Sequence, residues 1–193
     1  MTVVREFLQA TSRGGVTVVV VADVKSHPSL ADLEVFGNRV RILDEDFTNV
    51  AALERAGVHH ASKAVLLSDL SQGRSVRDAD ARTVLAALTI EKLNENVYTC
   101  AEINHREHAH HLEMGNVNDY VVTNEHAGVV LAQAVLTRGI MRVVAELLTH
   151  AHGNRFVVAK VPSSYKGRAF ADVLTEIKSA HDAVVVAIRR GRD

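Results

Sequence analysis

Asp23, Asp46, Ser68, Asp69 and Glu102 share one kind of position: each follows a short aliphatic run, at 16–21, 40–43, 64–67 or 97–101. If those runs are parallel strands, all five residues come to the C-terminal edge of one sheet, where open α/β folds bind their ligands. A carboxylate after the first run, Asp23, suits the ribose hydroxyls of a dinucleotide. Asp69 with Glu102 suits a divalent metal, because carboxylates at adjoining strand ends offer the oxygen-rich surroundings that Ca²⁺ takes.

Histidine is the other chemistry-bearing residue in quantity, with 11 in 193 residues. His105, His108, His110 and His111 fall on one predicted helix. The i, i+3 pair His108/His111 would hold Zn²⁺ or Ni²⁺ only with a third ligand from elsewhere; the simpler reading is a solvated polar face. His59 and His60 stand in a turn. His150 and His152 follow the last long helix, whose dipole favours the imidazolium. Nucleophilic catalysis finds no support, since Cys100 lies inside a predicted strand where a thiol is inert. The sequence has no G-x-S-x-G elbow, Walker lysine loop or H-E-x-x-H pattern. No catalytic residue is expected.

The elements that would position these residues follow from hydrophobic spacing. Val18 to Val21 are apolar on both faces, which predicts a strand buried on both sides. Further strands are expected at 40–43, 64–67, 97–101 and 120–122. Between them, helices are expected from a Thr48 cap to Ala56, stopping at Gly57, from Asp78 to Leu93 with Ala81, Val84, Leu85 and Leu88 as its buried face, and from His105 to Met114, closed by Gly115. Strand–helix alternation of this kind argues a doubly wound parallel sheet. Residues 126–149 are apolar almost all round, and Gly139 suggests two helices joined by a turn. Such a pair exceeds what one sheet face can cover. A two-fold interface through Ile140, Met141, Val144, Leu147 and Leu148 is therefore expected, in preference to packing on a second lobe. From residue 153 a smaller α+β lobe is expected, with strands at 156–161 and 183–188 around a helix at 168–177. The division is then 1–124, 125–152 and 153–193.

Composition bounds the function. The apolar fraction is 47% and aromatics are 4% with no Trp, which fits an aliphatic core between sheet and helices. A net charge of −1 gives no electrostatic footprint for nucleic acid or an anionic membrane. The single cysteine excludes an internal disulfide and fits a reducing, cytoplasmic compartment. No apolar run reaches the roughly 20 residues of a membrane span.

The order of these pieces resembles the RCK (regulator of potassium conductance), or TrkA-N, domains of potassium channels and transporters, including CASTOR-like channels. The resemblance rests on Arg39-Val40-Arg41-Ile42-Leu43-Asp44-Glu45-Asp46 followed by Leu53-Glu54-Arg55-Ala56-Gly57-Val58, on Lys63 to Asp69, on Ala101-Glu102-Ile103-Asn104, on Asn118 to Val122, on the helices at 126–149 and on Tyr165-Lys166-Gly167-Arg168-Ala169-Phe170. It implies a Rossmann-like sheet, a helical crossover and a small C-terminal lobe. It also implies a cytosolic regulatory, ligand-sensing and oligomerising role at the inner face of a membrane. The implied partners are a second copy or a larger gating ring, and a potassium channel pore or transporter membrane subunit. The implied ligands are NAD(H) or an adenine nucleotide, or Ca²⁺, at Asp23, Asp46, Ser68, Asp69 and Glu102. Two departures bear on this. The pattern opens at Thr2 to Ala10 on the helix that follows the family's first strand and glycine-rich turn, so the sheet is expected to be incomplete there, with a gap between the strands at 16–21 and 64–67. Where calcium-gated members carry a second acid, this chain has Asn104. An NAD-dependent dehydrogenase-like enzyme and a ligand-free dimerisation scaffold are the competing readings.

Overall fold

Val18 to Val21 take up an extended strand because β-branched side chains are stiff at χ1 and pack well on a pleated surface. In the computed structural model, which describes residues 2–11, 15–149 and 156–188, this strand is β1 (Val18–Ala22). It runs parallel to β2 (Val40–Asp44), in register from Val18 opposite Val40 to Ala22 opposite Asp44. A second parallel sheet holds β3 (Lys63–Leu66), β4 (Tyr98–Ile103) and β5 (Asp119–Val122) in that order. The expected parallel direction is present in all three pairings. β1 and β3 are not hydrogen-bonded to one another, so the sheet is in two pieces at the expected break. Every residue of β1 is half-buried rather than enclosed on both faces, as suits a strand of a two-stranded piece.

The helices carry their own start and stop signals. α1 (Thr2–Ala10) precedes β1 and buries Leu8. α2 (Val50–Arg55) is capped by Asn49, whose side chain accepts from the Ala51 amide, and not by Thr48 as its sequence suggests. Thr48 instead donates its amide and hydroxyl to Asp46 Oδ1 in a tight turn. α3 (Val76–Leu93) begins at Ser75, which accepts from the Asp78 amide. α4 (Ala109–Met114) stops at Gly115 after a 3₁₀ turn at Arg106–His108. α5 (Thr123–Leu136) and α6 (Ile140–Leu148) are separate helices broken at Gly139, whose φ of 87° is left-handed backbone that glycine adopts without strain.

Three expectations are corrected. α3 buries Ala79, Asp80, Thr83, Ala86, Ala87 and Ile90 against the sheet, while Leu85, from the expected inner face, is 55% exposed. The small side chains of the first stripe let the helix backbone approach the sheet closely. The stretch from Pro28 to Arg39 winds into 3₁₀ turns interrupted at Gly37. The strands expected at 156–161 and 183–188 do not form a ladder. Val158 there is 89% exposed, and an isolated pair of strands without a covering layer is marginal. The intervening helix, α7, runs from Phe170 to His181 rather than 168–177.

The chain divides into two units, Met1–Arg155 and Phe156–Asp193. The core of the first is Leu53, Val58, Leu66, Ala86, Ala87, Ile90, Val97, Ala101, Ile103, Ala109, Leu112, Val117 and Val122. His150 and His152 lie outside the described residues. No described helix is long and apolar enough to cross a membrane.

Candidate functional site

The C-terminal ends of β1, β2 and β3 open onto a cleft of about 340 Å³ lined by Asp23, Asp44, Glu45, Asp46, Phe47, Asp69, Gln72, Arg74 and Arg82. Parallel strands and α3 bring these residues together from four chain segments, and Asp23, Asp46 and Asp69 are among them. The cleft lies across the break between the two sheet pieces, and side chains bridge it. Gln72 Nε2 donates to Asp23 Oδ2 (2.5 Å) and to Ser26 Oγ (3.0 Å), and its Oε1 accepts from Arg74 (2.8 Å). His27 Nε2 stands 3.2 Å from Asp69 Oδ1.

Five carboxylates face two guanidinium groups here, so the cleft carries both signs of charge with the negative in excess. Asp23 caps the 3₁₀ turn after β1, accepting from the Ser26 hydroxyl (2.7 Å) and the Lys25 amide (3.1 Å). The Ser26 hydrogen bond leads in holding its carboxyl below the usual carboxylate range. Asp44 accepts from the Val24 amide (2.9 Å). Burial pushes the Asp46 carboxyl up, but the Thr48 hydrogen bonds and Arg82 (2.7 Å) outweigh it and leave the acid depressed. Asp69 behaves alike: burial raises it, while Ser71, Arg74 (2.6 Å) and His27 bring it below the usual range. Glu45 is paired with Arg55, whose hydrogen bond lowers its carboxyl. The Arg82 guanidinium also lies over the Phe47 ring, 5.1 Å from its centroid.

Ser68 and Glu102 belong to a different cluster. Glu102 Oε2 accepts from the Ser68 amide (3.0 Å) and Oε1 from the Thr123 hydroxyl (2.9 Å), which ties β3 and β4 to the start of α5. The Ser68 hydroxyl accepts from Asn104 Nδ2 (2.6 Å). The expected metal pair is thereby divided, with Asp69 in the cleft among Ser71 and Arg74 and Glu102 in the neighbouring network.

That network centres on Asp80, which is 0% exposed. Its Oδ1 accepts from the amide (2.9 Å) and side chain (2.8 Å) of Asn104; its Oδ2 accepts from the His105 amide (3.0 Å) and faces His108 Nδ1 (2.9 Å). Burial raises the Asp80 carboxyl, yet these donors hold it below the usual range. Cys100 sits on β4 with burial raising its thiol, the setting of an inert cysteine.

Sequence reasoning missed Asp80, Gln72, Arg74 and Arg82. Asp80 carried a signal, an acid at i, i+3, i+7 spacing with Thr83 and Ala87, on a stripe that proves buried. Gln72, Arg74 and Arg82 carried none, because loop geometry and a helix face turn them into the cleft.

Along the crossover helices the described side chains of α5 and α6 include none that is buried. Ile140, Val144 and Leu147 are half-buried; Met141 and Leu148 are exposed, as are Val129, Leu131, Val135 and Leu136.

The sequence model of the family described as "Calcium-activated potassium channel slowpoke-like RCK domain" matches residues 1–101. No curated protein matches. Among solved structures, the crystal structure of the TrkA-N domain of the inner membrane protein YbaL from Escherichia coli aligns with a TM-score of 0.53. Identity is 14%, over 69% of this chain and 87% of that one. At that identity the likeness establishes a Rossmann-like TrkA-N fold.

Proposed function

The chain belongs to the slowpoke-like RCK domain family, and from that membership we propose that it is the cytoplasmic sensor of a potassium channel or transporter, binding an adenine nucleotide in the cleft and pairing with a second copy through α5 and α6. RCK domains regulate potassium transport systems rather than catalyse reactions, and the family binds nucleotides or Ca²⁺.

The observation that carries the ligand reading is the joint presence of carboxylates and guanidinium groups lining one cleft at the strand edge. Ribose hydroxyls donate to a carboxylate such as Asp23, and phosphate oxygens accept from Arg74 and Arg82. Phe47 and the Arg82 guanidinium offer a flat face for a base. About 340 Å³ is near the lower end for a small-molecule pocket, and it suits a mononucleotide better than a complete NAD(H). Ca²⁺ is the second ligand proposed, on the strength of the family alone, since Asp69 and Glu102 stand in separate clusters.

For assembly, the described apolar side chains on α5 and α6 are exposed or half-buried, and RCK domains form oligomers. Ile140, Met141, Val144, Leu147 and Leu148 supply the interface in this proposal, and the movement of paired domains pulls on the pore subunit.

Calorimetry and thermal melting with ATP, ADP, AMP, NAD⁺, NADH and Ca²⁺ test the reading. Asp23→Ala weakens nucleotide binding and spares any Ca²⁺ response. A wild-type chain whose melting point no nucleotide or Ca²⁺ raises is a dimerisation scaffold instead.

A further inference from the structure

The buried Asp80 and two histidines beside it form a cluster that the nucleotide cleft does not use. We propose that Asp80, His105 and His108 make a transition-metal site selective for Zn²⁺-type cations. The inference stands independently of the nucleotide reading, because none of the three lines the cleft.

Geometry is the first argument. Asp80 Oδ2 lies 2.9 Å from His108 Nδ1 and 3.4 Å from His105 Nδ1, and the three ligand atoms all fall within 4.8 Å of one another. A tetrahedral Zn²⁺ with ligand atoms at about 2.0–2.1 Å separates neighbouring ligands by about 3.3 Å. Two of the three edges already stand within half an ångström of that value, so side-chain adjustment suffices. Among the described residues this is the sole group of three or more His, Cys, Asp or Glu side chains so gathered.

The surroundings are the second argument. Asp80 is anchored through Oδ1 by the Asn104 amide and side chain, which fixes the direction in which Oδ2 points. His108 Nε2 stands 3.6 Å from Glu107 Oε1, beyond hydrogen-bond range, and a small side-chain shift would complete the carboxylate–imidazole arrangement that orients a metal-binding histidine. His105 is 50% exposed on its side chain, which leaves an approach for the ion and a fourth position for water. Two imidazoles and one carboxylate select Zn²⁺-like ions over Ca²⁺, whose sites are built from oxygen. His111, expected to pair with His108, does not belong to the group; His108 takes its partners from α3 and from the β4–α4 connection. Metal at Nδ1 takes the His108 tautomer whose proton sits on Nε2, so a neutral ring shifts its proton there and only a doubly protonated ring releases one to solvent. The ion would fasten α3 to the loop that leads from Glu102 and Asn104 into α4.

The test uses the full chain, stripped with a chelator and titrated with Zn²⁺ alone against a chromophoric competitor, with Co²⁺ as a spectroscopic substitute. The expected result is one ion per chain, a raised melting point and the intense visible bands of a tetrahedral Co²⁺ centre. His105→Ala removes a ligand that the fold does not depend on, because its half-exposed ring leaves the Asp80 hydrogen bonds in place; it should weaken binding at least about tenfold. His110→Ala/His111→Ala should bind like the wild type. No stoichiometric Zn²⁺, undiminished binding by His105→Ala, or loss of binding in the His110/His111 variant would each overturn the proposal.

Discussion

Asp80→Ala should be among the most damaging single substitutions in the first unit, and the hydrogen bonds say by how much. The wild-type carboxylate is fully buried and accepts from the Asn104 amide, the Asn104 side chain, the His105 amide and His108. Asn104 can keep its side-chain bond to Ser68, and His108 can turn toward solvent. The two backbone N–H groups cannot leave, since they belong to the connection from β4 into the 3₁₀ turn before α4. Both amides are part-buried, so each left without a partner costs toward the lower end of about 1–3 kcal/mol, and the loss is expected at about 2–4 kcal/mol with the lost packing included. Asp80→Asn keeps the shape and one acceptor but turns an NH₂ toward the second pair of donors, with an expected cost of about 1.5–3 kcal/mol. Urea melts followed by circular dichroism measure both, with the m-value checking that the unfolded states are comparable. If Asp80→Ala unfolds within about 1 kcal/mol of the wild type, water satisfies those amides and the assigned anchoring role is wrong.

The remaining predictions concern the cleft, a tight contact and the interface. The depressed carboxyl of Asp69 contributes stability that is present above the ordinary carboxylate pKa and is lost as pH falls through its folded value. Asp69→Asn should therefore lower the melting temperature at neutral pH, with the difference from wild type shrinking in acid. A Cβ on Gly115 would stand 1.9 Å from Leu88 Cδ2, but that exposed side chain can turn away, so Gly115→Ala should cost only about 1 kcal/mol. Gly115→Ala/Leu88→Ala should cost less than the sum of its parts in a double-mutant cycle. Leu147→Asp places a charge on the proposed two-fold face and should convert the dimer to monomer by light scattering; an unchanged oligomer places the interface elsewhere.

What the sequence disclosed divides by cause. Strand positions were legible because 16–21, 40–43, 64–67, 97–101 and 120–122 are dense in aliphatic residues, and the helix pair was legible because Gly139 interrupts an apolar run. The inner face of α3 was not, because the helix carries two apolar stripes and periodicity favours the larger side chains. Close approach to a sheet instead selects Ala79, Ala86 and Ala87, and leaves Leu85 outside. The extended stretches of the second unit read as strands on propensity, which is a preference for a pleated surface that neighbours must supply. The acids of the cleft could be placed from strand ends alone. Their arginine and glutamine partners could not, since those are set by the left-handed turn at Gln72 and Gly73 and by the outer face of α3.

A route from the cleft to the helix pair can be followed through hydrogen bonds rather than through proximity. Gln72 holds a left-handed backbone, φ 59°, which costs a non-glycine residue of the order of 1 kcal/mol. Its side chain closes the cleft by bonding Asp23 across the break in the sheet. A ligand hydroxyl that took over Asp23 would release Gln72, and with it the loop running back through Ser71 and Asp69 to Ser68. The Ser68 amide is bonded to Glu102, and the other oxygen of Glu102 receives the Thr123 hydroxyl at the first residue of α5. Arg106 adds a second tie by pairing with Glu125 in the first turn of α5. For such a chain to act as a switch, the ligand must favour one arrangement over the other, and about 1.4 kcal/mol of preference moves the balance tenfold. Two or three exchanged hydrogen bonds together with the strain held at Gln72 are of that size. Under the proposed nucleotide reading, Glu102 would be the residue through which occupancy of the cleft reaches the apolar helices, because it stands between Ser68 and Thr123.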